Sequence, residues 1–244
     1  MIDRGKFNLL GVEISAVDYE AAVEKVTDAA RKQSPFGVSA LAVHGVMTGV
    51  MDREHRHRLN SLELLVPDGQ PVRWGLNWLH GTKLAERVYG PNLMLEICRA
   101  AESQGLRICL FGGSAELLDK LAGNLLRQFP NLQIVSRIPS KFRRLEPGEK
   151  PALVEQIKNS LSMPIIAVGA AFNFHAGLLR QAPGWMQRFG LEWFYRLMRE
   201  PLRLWKRYLL LNPYYCFLFA CQYLGLRRFD PGNTQAPQGE VLYG

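Results

Sequence analysis

Cysteine is scarce: four residues in 244, at Cys98, Cys109, Cys216 and Cys221, with no Cys-x-x-Cys spacing. That excludes a disulfide scaffold and a zinc ribbon, and leaves buried free thiols in a reducing compartment as the expectation. Asp-x-Asp is absent, which disfavours a sugar transferase built on carboxylate-held Mg²⁺. The histidines (His44, His55, His57, His80, His175) have no metal-ligand spacing. His55 and His57 fall in Arg53-Glu54-His55-Arg56-His57-Arg58, a polar helix face. Full Gly-x-Gly-x-x-Gly and Walker patterns are also missing, as are repeats and low-complexity linkers. Met1 to Lys6 carry no apolar leader run, so the chain is expected to stay in the cytoplasm. Acid is in short supply, 22 Asp and Glu against 30 Lys and Arg, giving a net charge of +8. An anionic partner is implied: nucleic acid, anionic lipid or a phosphorylated substrate.

What is present is the mixture of a protein with a real core, 48% apolar and 21% charged. Residues 8–16 read as a short strand pair, and Asp18 caps a helix near 19–32. An apolar run at 37–43 suits a buried strand, 44–60 is helical in pattern, and 62–66 is a strand ending at the turn Pro67-Asp68-Gly69. Helices are predicted at 70–80 and 91–104, then strand 106–111, helix 115–129 and strand 132–136, a βαβ unit. Helix 151–160 and strand 165–168 extend the alternation. The fold class read from this is α/β, a Rossmann-like parallel sheet flanked by helices over 1–184, with a helical C-terminal appendage at 185–228 and a flexible tail at 229–244.

The appendage has its own character. Residues 180–207 hold seven Arg or Lys against Glu192 and Glu200 only, and 208–226 hold no charge across 19 residues. Arg196, Arg199, Arg203 and Lys206/Arg207 recur at helical spacing, interleaved with Leu197, Leu204 and Trp205, as in a helix lying on an anionic membrane or one gripping phosphates. The apolar run admits three readings: docking on a membrane surface, a true span, or a core helix. On the first reading, deleting 208–244 is expected to raise solubility and leave the α/β core folded.

Three sites stand out, each with a plainer alternative. Asp68, at a strand end, suits a general base or simply a turn. Gly112-Gly113, between a strand and a helix, suits a phosphate loop or an ordinary βα turn. Arg87 suits a diphosphate contact or an exposed surface charge.

Taken in order, Pro67-Asp68-Gly69, Arg87-Val88-Tyr89-Gly90-Pro91-Asn92-Leu93, Leu110-Phe111-Gly112-Gly113, Val168 to Gly177, Ala182-Pro183-Gly184-Trp185, Gly190 to Leu197 and Glu200-Pro201-Leu202-Arg203 form one constellation. Together they make the chain similar to the WecB/TagA/CpsF family of glycosyltransferases (glycosyltransferase family 26). That resemblance implies an inverting transfer of N-acetylmannosamine or another hexose, with no metal and no cofactor. The donor would be a nucleotide-sugar and the acceptor a polyprenyl-diphosphate-linked sugar, in surface polysaccharide synthesis. It implies a peripheral enzyme on the inner face of the cell membrane and a possible homo-oligomer; the apolar run behind the basic stripe favours an anionic membrane surface, so no nucleic-acid partner is expected. Asp68 matches the family's proposed base and Arg87 its diphosphate arginine, while Gly112, Gly113, His44, Asn173, Arg196, Arg199 and Arg203 are the implied substrate contacts. Three departures accompany the match. Apolar Leu41-Ala42-Val43 replaces the polar Thr-Pro-Asn often found on the earlier strand, with His44 as the nearest polar group. Asn173 stands where the family usually has Asp, and some two dozen residues with a Gln-Glu loop are missing between Ser160 and Met163. The alternative reading that follows is an impaired relative acting as a membrane-bound scaffold.

Overall fold

The computed structural model describes the backbone of residues 1–146, 148–160 and 164–239, and the side chains of these except 158–160 and 207. The join at 161–163, on which the shortened loop falls, and the last five residues of the expected tail lie outside the described residues.

The chain opens with an antiparallel hairpin, β1 (Asp3–Leu9) and β2 (Val12–Val17), registered Leu9 opposite Val12. Its two-residue turn puts Leu10 at φ 56° and Gly11 at φ 88°, the left-handed pair a tight hairpin demands. Helix α1 (Tyr19–Arg31) starts where Asp18 Oδ1 accepts the Ala21 amide at 2.9 Å. Strand β3 (Phe36–Leu41) leads into α2 (Val43–Met51), and Asp52 ends that helix and caps the next, α3 (Arg53–Asn60). The predicted helix at 44–60 is therefore two helices. The Asp52 carboxylate accepts the Glu54 and His55 amides, a bond that competes with continuing the first helix.

Strand β4 (Leu64–Pro67) precedes α4 (Gln70–His80), and α5 (Gly90–Gln104) follows a short loop. Then come β5 (Arg107–Phe111), α6 (Ala115–Gln128), β6 (Gln133–Ile138), α7 (Glu149–Ser160) and β7 (Pro164–Ala167). Short helices α8 (Ala171–His175) and α9 (Gly184–Arg188) lead to α10 (Glu192–Arg199) and α11 (Pro201–Tyr223). Parallel pairing of β3 with β4, and of β5 with β6, under flanking helices confirms the α/β class.

Two compact units divide the chain. The first gathers Met1–Ala22, Val38–Tyr89 and Gln181–Pro237; the second is built chiefly on Val23–Gly37 and Gly90–Arg180. The first unit's core joins Leu9, Leu10 and Ile14 of the hairpin to Met47, Leu65 and Leu76, and to Tyr215 and Leu218 of α11. In the second, Leu118, Leu121 and Leu125 of α6 pack with Leu110, Cys98 and Ala171.

Helix α11 corrects one expectation. Leu204, Tyr208, Tyr215 and Leu218 are buried, and they recur on one face at helical spacing. Removing 208–244 would therefore strip the first unit's core rather than release an appendage. The opposite face exposes Leu209, Leu210 and Phe217 beside Arg203 and Lys206. Among the described residues no helix is long and apolar enough to cross a membrane. Beyond α11, the segment from Phe229 stays tied to the first unit: its Phe229 carbonyl accepts Asn8 Nδ2 at 2.5 Å and its Gln235 amide donates to the Arg53 carbonyl at 3.3 Å. The four cysteines are free thiols. Cys98 is buried, and burial alone pushes its thiol up to about 12, but Cys216 is exposed, against the expectation that all four are hidden.

Candidate active site

All four residues of β4 are apolar or proline and buried, so the first side chain free to leave the core is that of Asp68. Its amide donates to the Leu41 carbonyl at 3.2 Å, tying the end of β4 to the end of β3. One residue earlier, the Pro67 carbonyl accepts the Val88 amide at 3.0 Å. That bond seats Arg87 and Tyr89 against the strand end, the side of an α/β sheet where ligands collect. Gly69 caps α4, and a Cβ there would lie 3.5 Å from the Cα of Ala42, the N-cap of α2. The second residue of α2 is His44, half-buried. Asp68, Arg87 and His44 thus come from three segments that meet around Pro67 and Ala42.

Arg87 is not the exposed arginine of the plainer reading. It is 9% exposed, and its Nη2 donates to Glu192 Oε2 at 2.7 Å and to Gln187 Oε1 at 3.1 Å. The second Glu192 oxygen accepts the Tyr89 hydroxyl at 2.9 Å. The guanidinium also lies over the Tyr89 ring, 4.2 Å from its centroid. Burial first, then the charge and hydrogen bond of Glu192 and the charge of Asp68, hold the Tyr89 phenol strongly protonated, with only Arg87 opposing. The Tyr89 amide is held by the Tyr19 hydroxyl at 2.8 Å. The result is a rigid, charge-balanced triad of Arg87, Tyr89 and Glu192 beside Asp68.

Glu192 reaches this place through a turn. Gly190 has φ +70° and packs on Trp74 of α4, where a Cβ would come within 3.0 Å of the indole. A side chain there would meet both backbone strain and an aromatic ring. The sequence reading passed over Glu192, Gln187 and the role of Tyr89. A signal existed for the first: Glu192 is one of two acids in the strongly basic stretch 180–207.

The remaining predicted residues lie on other elements. Gly112 and Gly113 turn between β5 and α6 with φ of 107° and 77°, and Ser114 caps α6 by accepting the Leu117 amide at 3.2 Å. The Gly112 amide donates to the Ile138 carbonyl, and the Gly113 carbonyl accepts from Ser140. Asn173 sits in α8, its carbonyl accepting the Leu178 and Leu179 amides. Those three belong to the second unit. Arg196 and Arg199 lie on α10 and Arg203 on α11, in the first. Arg203 is ion-paired with Glu200, and Arg199 stacks over Tyr195 at 5.5 Å.

Against known proteins, the sequence model of the glycosyl transferase WecG/TagA/CpsF family matches residues 7–162 and 160–229. The chain is similar to the N-acetylglucosaminyldiphosphoundecaprenol N-acetyl-beta-D-mannosaminyltransferase of Bacillus subtilis (strain 168). The two are 25% identical over 185 residues, which is 68% of this chain and 72% of that protein. With the match running through the strand-end aspartate, the Arg87 loop and the Glu192 turn, the chain belongs to the glycosyl transferase WecG/TagA/CpsF family and is a glycosyltransferase.

Proposed function

We propose that this enzyme moves an N-acetylmannosamine-like or other hexose from a nucleoside diphosphate to a polyprenyl-diphosphate-linked sugar, with inversion and without a metal. The observation that carries the reading is the Val88–Pro67 backbone bond, which sets a buried arginine next to a strand-end aspartate. The acceptor hydroxyl gives its proton to Asp68 as its oxygen bonds to the anomeric carbon, and the carbon–oxygen bond to the diphosphate breaks. The leaving diphosphate takes that electron pair, and preorganised donors stabilise its charge. Arg87 is the first unit's donor for that task; its pairing with Glu192 fixes it before the substrate arrives. Gly112, Gly113 and Asn173 are the second unit's candidates for the donor, and His44 is the polar group nearest Asp68 on α2. The name of the Bacillus subtilis relative, which gives N-acetylglucosaminyldiphosphoundecaprenol as the acceptor, supports the acceptor class.

Arg196, Arg199, Arg203 and the exposed Leu209, Leu210 and Phe217 are proposed to rest on an anionic membrane surface, where the lipid acceptor lies. Sugar transfer to a lipid-diphosphate acceptor tests the chemistry: Asp68→Asn should lower kcat by about 100-fold or more with unchanged far-UV circular dichroism. Wild-type turnover in that variant refutes the base assignment.

One observation favours a second reading. The family match comes in two pieces that meet at 160–162, where the Gln-Glu loop is missing. On this reading the chain is an impaired relative acting as a scaffold, and calorimetric titration with nucleotide-sugars separates the two. Micromolar binding supports the enzyme, and no binding supports the scaffold.

A further inference from the structure

We propose that the first unit carries a second anion site, an arginine-lined pocket that binds a phosphate group. The cavity, of about 210 Å³, is lined by Arg53, Arg56, Arg227 and Arg228, with Phe229 and Asp230. It opens at the C-terminal end of α2, where Val50 and Met51 form part of its wall. His44 and the Asp68 turn lie at the other end of that helix, which at 1.5 Å per residue is about 12 Å long. The pocket is therefore distinct from the candidate active site.

The charges here are unbalanced. Four arginines line the cavity with one acid, Asp230, whose Oδ1 already accepts the Gly232 amide at 2.8 Å. Among the described residues, Arg53, Arg227 and Arg228 make no ion pair, and Arg227 instead stacks over Phe229 at 5.0 Å. Arg56 has a structural task. Its Nε and Nη2 each donate at 2.8 Å, to the Gly49 and Val50 carbonyls, and its Nη1 donates to Asn233 at 3.2 Å. It thus closes carbonyls that the end of α2 leaves open. A guanidinium has five N–H groups, so Arg56 keeps two that these bonds do not use. Burial, and then the charge of Arg53, disfavour its charged form. Like charges gathered around a cavity repel one another unless an anion sits among them, and paired guanidiniums match the oxygens of a phosphate. The volume falls below the roughly 300–1,000 Å³ of sites that enclose a whole small molecule. It suits a phosphoryl group, free or on a lipid headgroup, rather than an entire nucleotide.

The test uses the full chain and the variant Arg53→Gln/Arg228→Gln. Both residues are exposed, and Arg56 is left to hold α2. Inorganic pyrophosphate is titrated calorimetrically at low salt, and sedimentation is measured with phosphatidylcholine vesicles containing or lacking phosphatidylglycerol. A free-phosphate site gives wild-type pyrophosphate binding that the variant weakens tenfold or more. A headgroup site gives a tenfold loss confined to phosphatidylglycerol vesicles. If the variant matches the wild type in both assays, with unchanged thermal melting, the pocket is not an anion site. The Asp68→Asn result bears on the catalytic reading alone, so either reading can fail without the other.

Discussion

The Arg87–Glu192 pair permits a sharp test of how the site is built. At 2.7 Å, with side chains 10% and 13% exposed, its gross attraction is about 6 kcal/mol at an effective dielectric of 20. Desolvation of two ions, at several kcal/mol each, offsets most of that. The net value of the pair is therefore small, while losing one partner is expensive. Arg87→Met strands the Glu192 carboxylate with only the Tyr89 hydroxyl, and Glu192→Leu leaves the guanidinium with Gln187 and the face of the Tyr89 ring but no anion. Each single change should cost about 3 kcal/mol. The double variant should cost no more than about 3 kcal/mol, because no charge is left buried alone, so the coupling energy is about 3 kcal/mol. Equilibrium urea unfolding followed by tryptophan fluorescence measures all four proteins. A double variant near 6 kcal/mol, the sum of the singles, would refute the reasoning. It would mean that the two charges are solvated independently.

Other outcomes follow from the same geometry. Leu218→Ala should destabilise the protein by about 2–5 kcal/mol, since Leu218 is 1% exposed in the first unit's core; a cost under 0.5 kcal/mol in urea melts would place α11 outside that core. Reversal of Arg196, Arg199 and Arg203 to Glu should lower partition onto anionic vesicles by at least on the order of 100-fold, because losing three cations at roughly 1 kcal/mol each already amounts to about 3 kcal/mol before the added repulsion of the carboxylates. Unchanged sedimentation would assign the stripe to another task. His175 Nε2 lies 2.8 Å from the Pro91 carbonyl, and burial lowers the imidazole's pKa against that bond. A lowered folded value favours the neutral ring, so its stability is full above 6.5 and declines as pH falls through and below that value. The wild type should therefore lose more thermal stability between pH 7.5 and 5.5 than His175→Gln, and equal losses would contradict this.

Much of this was legible in the sequence because it is local. Periodicity located the strand that ends at Pro67, the helix 70–80 and the βα turn at Gly112, each within a few residues of its observed bounds. Capping chemistry is equally local, yet Asp52 was passed over in the middle of a helical pattern. What the sequence hid were the pairings between distant segments. Glu192 meets Arg87 across 105 positions, and no spacing rule links them. The apolar run after Arg207 could be read as a lipid contact or as core, because composition is the same for both. The structure divides it by face: Tyr215 and Leu218 go inward, while Leu209, Leu210 and Phe217 go outward.

The joining of the β1–β2 hairpin to α11 in one core has a consequence for the chain's birth on the ribosome. Leu10 of the opening hairpin donates its amide to Gln222 across 212 positions, and Asn8 binds the Phe229 carbonyl across 221. At roughly 5–20 residues per second, the hairpin waits about 10–40 s for the helix that covers it. Through that interval the apolar face of the β1–β2 hairpin is uncovered, as in other chains with long-range contacts. Slowing synthesis between α10 and the end of α11 should therefore lower the soluble yield more than slowing it within β1 and β2.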